Sequence, residues 1–321
     1  MKRKPMSEKL DKVDMIIIGG GPGGLAAAQY ASRANLKAYV IEEMAPGGTT
    51  LLVDDLENYP GFDEPISGFE LSEKFTKQAE QFGAKIILST VEAITHNSDG
   101  SFNVKTSDED YQVPVVIMAT GAKKKELGAP GEKEYQGRGV SYCATCDGPF
   151  FRNKKILVVG GGDSAVGESL FLSKISDKVT IIHRKDRFRA QRSLASMVEH
   201  DPHIETRFMT TLNEIKGDGS KVTSASLHDI EKGVDYDEEF DAVFVFIGAI
   251  PKTALATFAS SDDDGYFITN ELMRTDIPGL YAVGDVRNGP FKQIITAASD
   301  GAVAAHAAAE YIDELKGQIY G

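Results

Sequence analysis

Twice along the chain a β-rich apolar run ends in a glycine cluster that opens into a helix-favouring stretch, and this repeat limits the possible folds more than any other feature. The first run, Val13 to Ile18, leads into Gly19-Gly20-Gly21-Pro22-Gly23-Gly24 and then into the alanine-rich LAAAQYASRANL. Strand, Gly-x-Gly-x-x-Gly and helix in that order make the dinucleotide-binding fingerprint, because backbone amides at the helix start must reach a pyrophosphate with no side chain in the way. The next strand, Lys37 to Ile41, ends in Glu42, 23 residues beyond Gly19. That is close to where the fingerprint places an acid that accepts hydrogen bonds from a ribose diol.

The second unit starts at Lys155-Ile-Leu-Val-Val and gives Gly160-Gly161-Gly162-Asp163-Ser164-Ala165, a helix ending near Lys174 and the strand Val179-Thr-Ile-Ile. Ala165 takes the place of the third glycine, a variant that the fingerprint permits. The position matching Glu42 is His183, followed by Arg184, Lys185, Asp186, Arg187, Phe188 and Arg189. A basic run of this kind is more often a solvated face than a phosphate site. Here it follows a complete βαβ unit at the same offset, where cations in place of an acid would neutralise a 2′-phosphate. The first unit is therefore read as an FAD site, with Gly19, Gly21, Gly24 and Glu42. The second is read as an NADPH site, with Gly160, Gly162, Asp163, Ser164, Ala165, His183, Arg184, Lys185 and Arg189.

Further on, a β-rich stretch from Asp241 to Ile247 is followed by Gly279-Leu280-Tyr281-Ala282-Val283-Gly284-Asp285 and a long alanine-rich helix from KQIITAASDG onward. With Ala119-Thr120-Gly121-Ala122 and Gly248-Ala249-Ile250-Pro251 as the two crossings, one domain is inserted into the other. The expected fold class is α/β with two Rossmann-like domains. Residues 1–121 and 252–321 are assigned to FAD, and residues 122–251 to NADPH.

The chain has 321 residues, 41% of them hydrophobic, enough for two cores. Its net charge of −13 opposes binding to phosphate backbones and anionic membranes, so neither nucleic acid nor membrane is an expected partner. The apolar stretch after the basic start MKRKPM breaks at once into glycines and is too short to span a bilayer, which leaves a soluble cytoplasmic protein as the expectation.

Only two cysteines occur, in Ser141-Tyr142-Cys143-Ala144-Thr145-Cys146-Asp147-Gly148. Cys-x-x-Cys brings two sulfurs within reach of one disulfide and can depress one thiol's pKa enough to make it a nucleophile near neutral pH. Half a zinc site and a pair of inert thiols are the rival readings. Zinc would need two more ligands, and the six histidines are scattered with no paired spacing near this motif, so no metal is expected.

The motifs GGGPGG, LENYPGF, ATGA, CATCDG, GGGDSA, HRKDRFRA and GLYAVGDVR together resemble the low-molecular-weight thioredoxin reductases of the pyridine nucleotide-disulfide oxidoreductase superfamily, over essentially the whole chain after a short N-terminal extension. The resemblance implies two Rossmann-like domains built as three-layer ββα sandwiches, FAD and NADPH as cofactors, thioredoxin as acceptor, and a homodimer. It implies that Cys143 is the interchange thiol, Cys146 the flavin-proximal thiol and Asp147 the acid. On the FAD side it adds Gly48, Asn58, Ala119, Gly121, Asp285 and Gln293. Two departures stand out. Thr49 follows Gly48 where the family usually has a flavin-contacting glutamine, and Lys185 follows Arg184 where it usually has a second arginine, so the fork that matches a phosphate is replaced by a point charge. Other acceptors (a glutaredoxin-like protein, a peroxidase partner) use the same hardware, and NADH as donor and a nonenzymatic flavin redox sensor stay open at this level. A relative taking electrons from ferredoxin would keep CATC but lose the phosphate-binding cations, and this chain has both.

Overall fold

The computed structural model describes residues 13–53, 56 and 58–317, so the basic start MKRKPM lies outside the described residues. The chain divides into two compact units, one made of residues up to Lys123 and from Ile250 on, the other of Lys124–Ala249. Among the described residues no helix is long and apolar enough to cross a membrane.

The first unit is built on a five-stranded sheet in the order Leu280–Ala282, Val115–Met118, Met15–Ile18, Ala38–Glu42 and Lys85–Leu88, with all neighbours parallel. Its central strands are apolar at every position because both faces are covered, as parallel sheets require. Met15, Ile17, Val115, Ile117 and Tyr281 face helices α1 (Pro22–Arg33) and α6 (Ile294–Leu315). The alternate residues Ile16, Ile18, Val116, Met118 and Leu280 face Phe102, Val104 and Val113 of an antiparallel meander, Val91–His96, Phe102–Thr106 and Asp110–Val113. Helix α2 (Gly68–Gln81) opens on Ser67, whose hydroxyl accepts from the Glu70 N–H at 3.1 Å.

The second unit repeats the plan. Its parallel sheet runs Ile204–Arg207, Val179–Ile182, Ile156–Gly160, Ala242–Phe246 and Val140–Ser141. One face, with Ile156, Val158, Val179 and Ile181, packs on α4 (Asp163–Leu172) and α5 (Arg192–His200). The other, with Leu157, Val159, Ile182 and Val243, packs on Ile215, Val222, Ala225 and Leu227 of the meander Thr210–Gly217, Val222–Asp229 and Val234–Glu239. Each unit is thus a helical layer, a parallel sheet and an antiparallel layer, the ββα sandwich that the family resemblance implies.

Candidate active site

Sheet register explains why the two glycine loops are alike. Ile18 pairs with Ile41 in the first unit and Val159 with Ile182 in the second, which sets Glu42 and His183 at matching strand ends beside Gly19 and Gly160. A methyl on Gly19 would lie 2.4 Å from the Ala119 carbonyl oxygen, and one on Gly24 would lie 2.0 Å from the Gly19 oxygen. Neither distance is compatible with a side chain, since both obstacles are backbone. Gly21, by contrast, has no protein atom within 4 Å of that position, and it starts α1 without a side-chain cap. The first-turn N–H groups of α1 therefore lie behind a residue with no side chain, an arrangement that fits a pyrophosphate. Gly162 starts α4 in the same way, uncapped and with nothing within 4 Å.

Gly21→Ala and Gly24→Ala separate fold from binding. Gly21→Ala is expected to keep the wild-type unfolding temperature while weakening flavin binding on the order of tenfold, about 1.4 kcal/mol. Gly24→Ala is expected to lose both. Flavin absorbance per protein and thermal unfolding check the pair.

Glu42 accepts from the Gly20 N–H at 2.6 Å and the Met44 N–H at 3.1 Å, which holds its carboxylate at the strand end. Gly48 lies over the loop, its added methyl 3.3 Å from Gly21 Cα, and Gly47 N–H donates to Gly20 O at 2.7 Å. Ala119 N–H donates to Ile18 O at 2.8 Å, and Gly121 O accepts from Lys252 N–H at 3.0 Å. Asp285 sits in a 3-10 turn, Gly284–Val286, just past the strand Leu280–Ala282. Lys292 holds that turn by donating to the carbonyl oxygens of Asp285 at 3.1 Å and Arg287 at 2.7 Å. Gln293 caps α6 in a reciprocal box with Thr296, and its Oε1 accepts from Asn58 Nδ2 at 3.2 Å. The structure thus joins Asn58 to Gln293, and Gly48 and Ala119 to the glycine loop, all within the first unit.

In the second unit the cationic run folds back on its glycine loop. Arg189 N–H donates to Gly161 O at 2.7 Å, and Gln191 N–H to Asp163 Oδ1 at 2.7 Å. The side chains of Arg184, Lys185 and Arg189 are exposed, as are Asp163 and Ser164 at the helix start. His183 differs from the cation that its sequence context suggests. It is 8% exposed, its Nε2 has no hydrogen-bond partner within the protein, and its ring comes 2.3 Å from where a Gly161 side chain would begin. Burial, then the charges of Arg189, Arg184 and Lys185, hold its pKa below the ordinary 6.5 and favour the neutral ring. The unfolded chain takes up this proton more readily than the folded one, so the contribution to stability is complete above pH 6.5 and is lost as pH falls through the lower folded value. His183→Gln is expected to flatten that acid-side loss, as measured by urea unfolding midpoints across the range.

Cys143 and Cys146 form a disulfide with Cα atoms 5.4 Å apart, so both sulfurs are committed to each other in this state. Cys143 is the residue before the short helix α3 (Ala144–Asp147), and both cysteines are half-buried. Among the described residues no group of three or more His, Cys, Asp or Glu side chains gathers to hold a metal ion. The two residues before Cys143 are each tied to a carboxylate. Ser141 Oγ donates to Asp147 Oδ2 at 2.5 Å. Tyr142 OH donates at 2.8 Å to Glu132, whose carboxylate, 1% exposed, also accepts from the N–H groups of Leu127 at 2.9 Å and Gly128 at 2.7 Å. Three donors answer the desolvation of a buried carboxylate. Burial and Glu132 push the Tyr142 hydroxyl well above the ordinary 10.0, so it remains a donor.

Comparison with known proteins covers most of the chain. Residues 13–301 match the family model described as pyridine nucleotide-disulphide oxidoreductase. The chain belongs to this family. A thioredoxin reductase of Treponema pallidum is 52% identical over 94% of this chain and 98% of its own length, and one of Bacillus subtilis is 41% identical over 94% and 96%. Among solved structures, thioredoxin reductase from Streptococcus pyogenes superposes with a TM-score of 0.86 at 42% identity, covering 94% of this chain and 99% of that one. The enzyme from Giardia duodenalis gives 0.87 at 35% identity, covering 94% and 99%. The protein is an FAD- and NADPH-dependent oxidoreductase with a redox-active disulfide.

Sequence reasoning missed Ser141, Tyr142 and Glu132. Ser141 had a readable signal, because a serine two residues before a helix-starting cysteine can accept that cysteine's N–H, as it does here at 3.1 Å. Glu132 had none, since an acid ten residues from its partner reads as surface.

Proposed function

We propose that the protein is a thioredoxin-disulfide reductase in which the first unit holds FAD, the second holds NADPH, and electrons leave through Cys143 and Cys146. The observation that carries this reading is the Cys143–Cys146 disulfide, set in the same unit as a glycine loop faced by exposed cations. Gly19, Gly21, Gly24, Glu42, Gly48, Asn58, Ala119, Gly121, Asp285 and Gln293 serve FAD on this reading. Gly160, Gly162, Asp163, Ser164, Ala165, His183, Arg184, Lys185 and Arg189 serve NADPH.

Bound FAD supplies the link between hydride transfer and thiol chemistry. The chain's own residues do the rest. Cys143, as thiolate, attacks one sulfur of the acceptor disulfide. That S–S bond breaks, a mixed disulfide forms, and the departing thiolate takes its proton from Asp147. Cys146 then attacks Cys143 within the mixed disulfide, releasing the second acceptor thiol and re-forming the internal bond. Each cycle consumes one NADPH and one proton and leaves the acceptor as a dithiol. The working compartment on this reading is a reducing cytoplasm. The working assembly is a homodimer, for which Leu52, 76% exposed, and Phe69, 61% exposed, offer apolar surface on the first unit. Steady-state NADPH oxidation, run separately with thioredoxin and with a glutaredoxin-like protein, tests the acceptor. Thioredoxin is expected to be strongly preferred, and a preference for the other acceptor overturns the assignment. Native mass spectrometry reads the assembly.

A further inference from the structure

We propose that Ser141 is a positioning residue for the disulfide exchange, its hydroxyl fixing Asp147 in place and setting how readily that carboxyl gives up its proton. Ser141 is 4% exposed and ends the short strand Val140–Ser141, held against Val243 and Phe244 of the parallel sheet. Its Oγ lies 2.5 Å from Asp147 Oδ2, 3.1 Å from Cys143 N and 3.3 Å from Cys143 O. A hydroxyl has one proton to donate and two lone pairs. The carboxylate takes the proton, because the contact is shorter and charge-assisted, and the Cys143 N–H points at a lone pair. Asp147 N–H in turn donates to Cys143 O at 3.1 Å. The acid and the attacking cysteine are therefore joined twice, through the backbone and through Ser141.

This inference rests on Asp147 being the acid of the exchange. When the acceptor thiolate departs, the proton moves from Asp147 to that sulfur and the negative charge moves to a carboxylate already hydrogen-bonded by Ser141. A donor to the charged form favours it, so Ser141 makes the proton easier to release. Titratable groups on neighbouring elements are few. Tyr142, which donates to the Glu132 carboxylate, lies between Ser141 and Cys143, and helix α4 carries Asp163 and Glu168, while the 3-10 segment Gly148–Phe151 and the strands Val140–Ser141 and Ala242–Phe246 carry none. Burial raises the Glu168 pKa, with Lys124 opposing. Substitution of Ser141 leaves those groups unchanged, so a difference between paired variants isolates the hydroxyl.

The test is the pH profile of thioredoxin turnover in Ser141→Ala and Ser141→Thr. In Ser141→Ala the high-pH limb, where the acid is lost, is expected to move upward by about half a pH unit or more, and kcat to fall severalfold. Ser141→Thr is expected to restore both. Because the site is tightly buried, Ser141→Thr and Ser141→Val form a second pair, nearly equal in volume and differing by hydroxyl against methyl, and the same displacement between them supports the role if the alanine protein does not fold. Superimposable profiles within both pairs overturn the proposal and leave Ser141 a packing residue. Asp147→Asn separates the two levels. If it turns over like wild type, the acid assignment fails. If it abolishes the high-pH limb while Ser141→Ala leaves that limb in place, only the role of Ser141 fails.

Discussion

Cys146→Ser is expected to stop at a covalent complex with thioredoxin. The substrate for this experiment is a thioredoxin with serine at its resolving position and its attacking cysteine capped as a mixed disulfide with thionitrobenzoate. Cys143 displaces the cap and forms a new disulfide that nothing in the variant can open. Wild type, once its disulfide has been reduced by NADPH, forms the same bond and resolves it through Cys146. Cys143→Ser retains only the flavin-proximal thiol and is expected to trap little, instead perturbing the flavin spectrum once reduced. Multiple turnover falls to background in both variants, because the internal disulfide cannot form. Non-reducing electrophoresis and intact mass read the adduct, and efficient trapping by Cys143→Ser reverses the assignment of the two sulfurs.

Arg184→Ala combined with Arg189→Ala is expected to remove most of the preference for NADPH over NADH. Both guanidiniums are exposed in the segment that folds back on the second glycine loop through the Arg189 and Gln191 N–H groups. A hydrogen bond to a charged group contributes about 1.5–3 kcal/mol, so losing two costs roughly a hundredfold or more in kcat/KM for NADPH. NADH has no 2′-phosphate, and its kcat/KM is expected to change little. Lys185 contributes a point charge without a fork, so Lys185→Arg is expected to sharpen the preference. A wild-type protein that already prefers NADH contradicts the reading of this cluster.

The parts legible in the sequence are those whose causes are local. A glycine at φ +103° whose Cβ would meet a backbone oxygen, as at Gly19, leaves a mark in the chain because no other residue serves there. The central parallel strands Met15–Ile18 and Val115–Met118 are apolar throughout, and Asp241 to Ile247, β-rich in sequence, corresponds to the strand Ala242–Phe246. The antiparallel meanders were not legible from residues alone. Val234–Glu239 carries one valine, one tyrosine and four acids, and reads as a solvated loop because much of it faces water. His183 sits in a cationic run that straddles a strand end, so its chain neighbours are exposed while its own ring is covered by Gly161, and burial changes its charge preference. Glu132 and Tyr142 meet only through the fold, and an acid that is buried cannot be told from a surface acid by composition.

The most direct measurement is an anaerobic half-reaction sequence on the wild-type protein, followed by flavin absorbance. Two equivalents of NADPH, one for the flavin and one for the Cys143–Cys146 disulfide, are expected to reduce the enzyme, and oxidised thioredoxin added next is expected to reoxidise it while one thioredoxin dithiol appears for each NADPH consumed. Cys143→Ser treated in the same way is expected to accept electrons from NADPH and pass none to thioredoxin. Reoxidation by thioredoxin that proceeds equally well without Cys143, or an enzyme that NADPH leaves oxidised, contradicts an electron path through the Cys143–Cys146 pair.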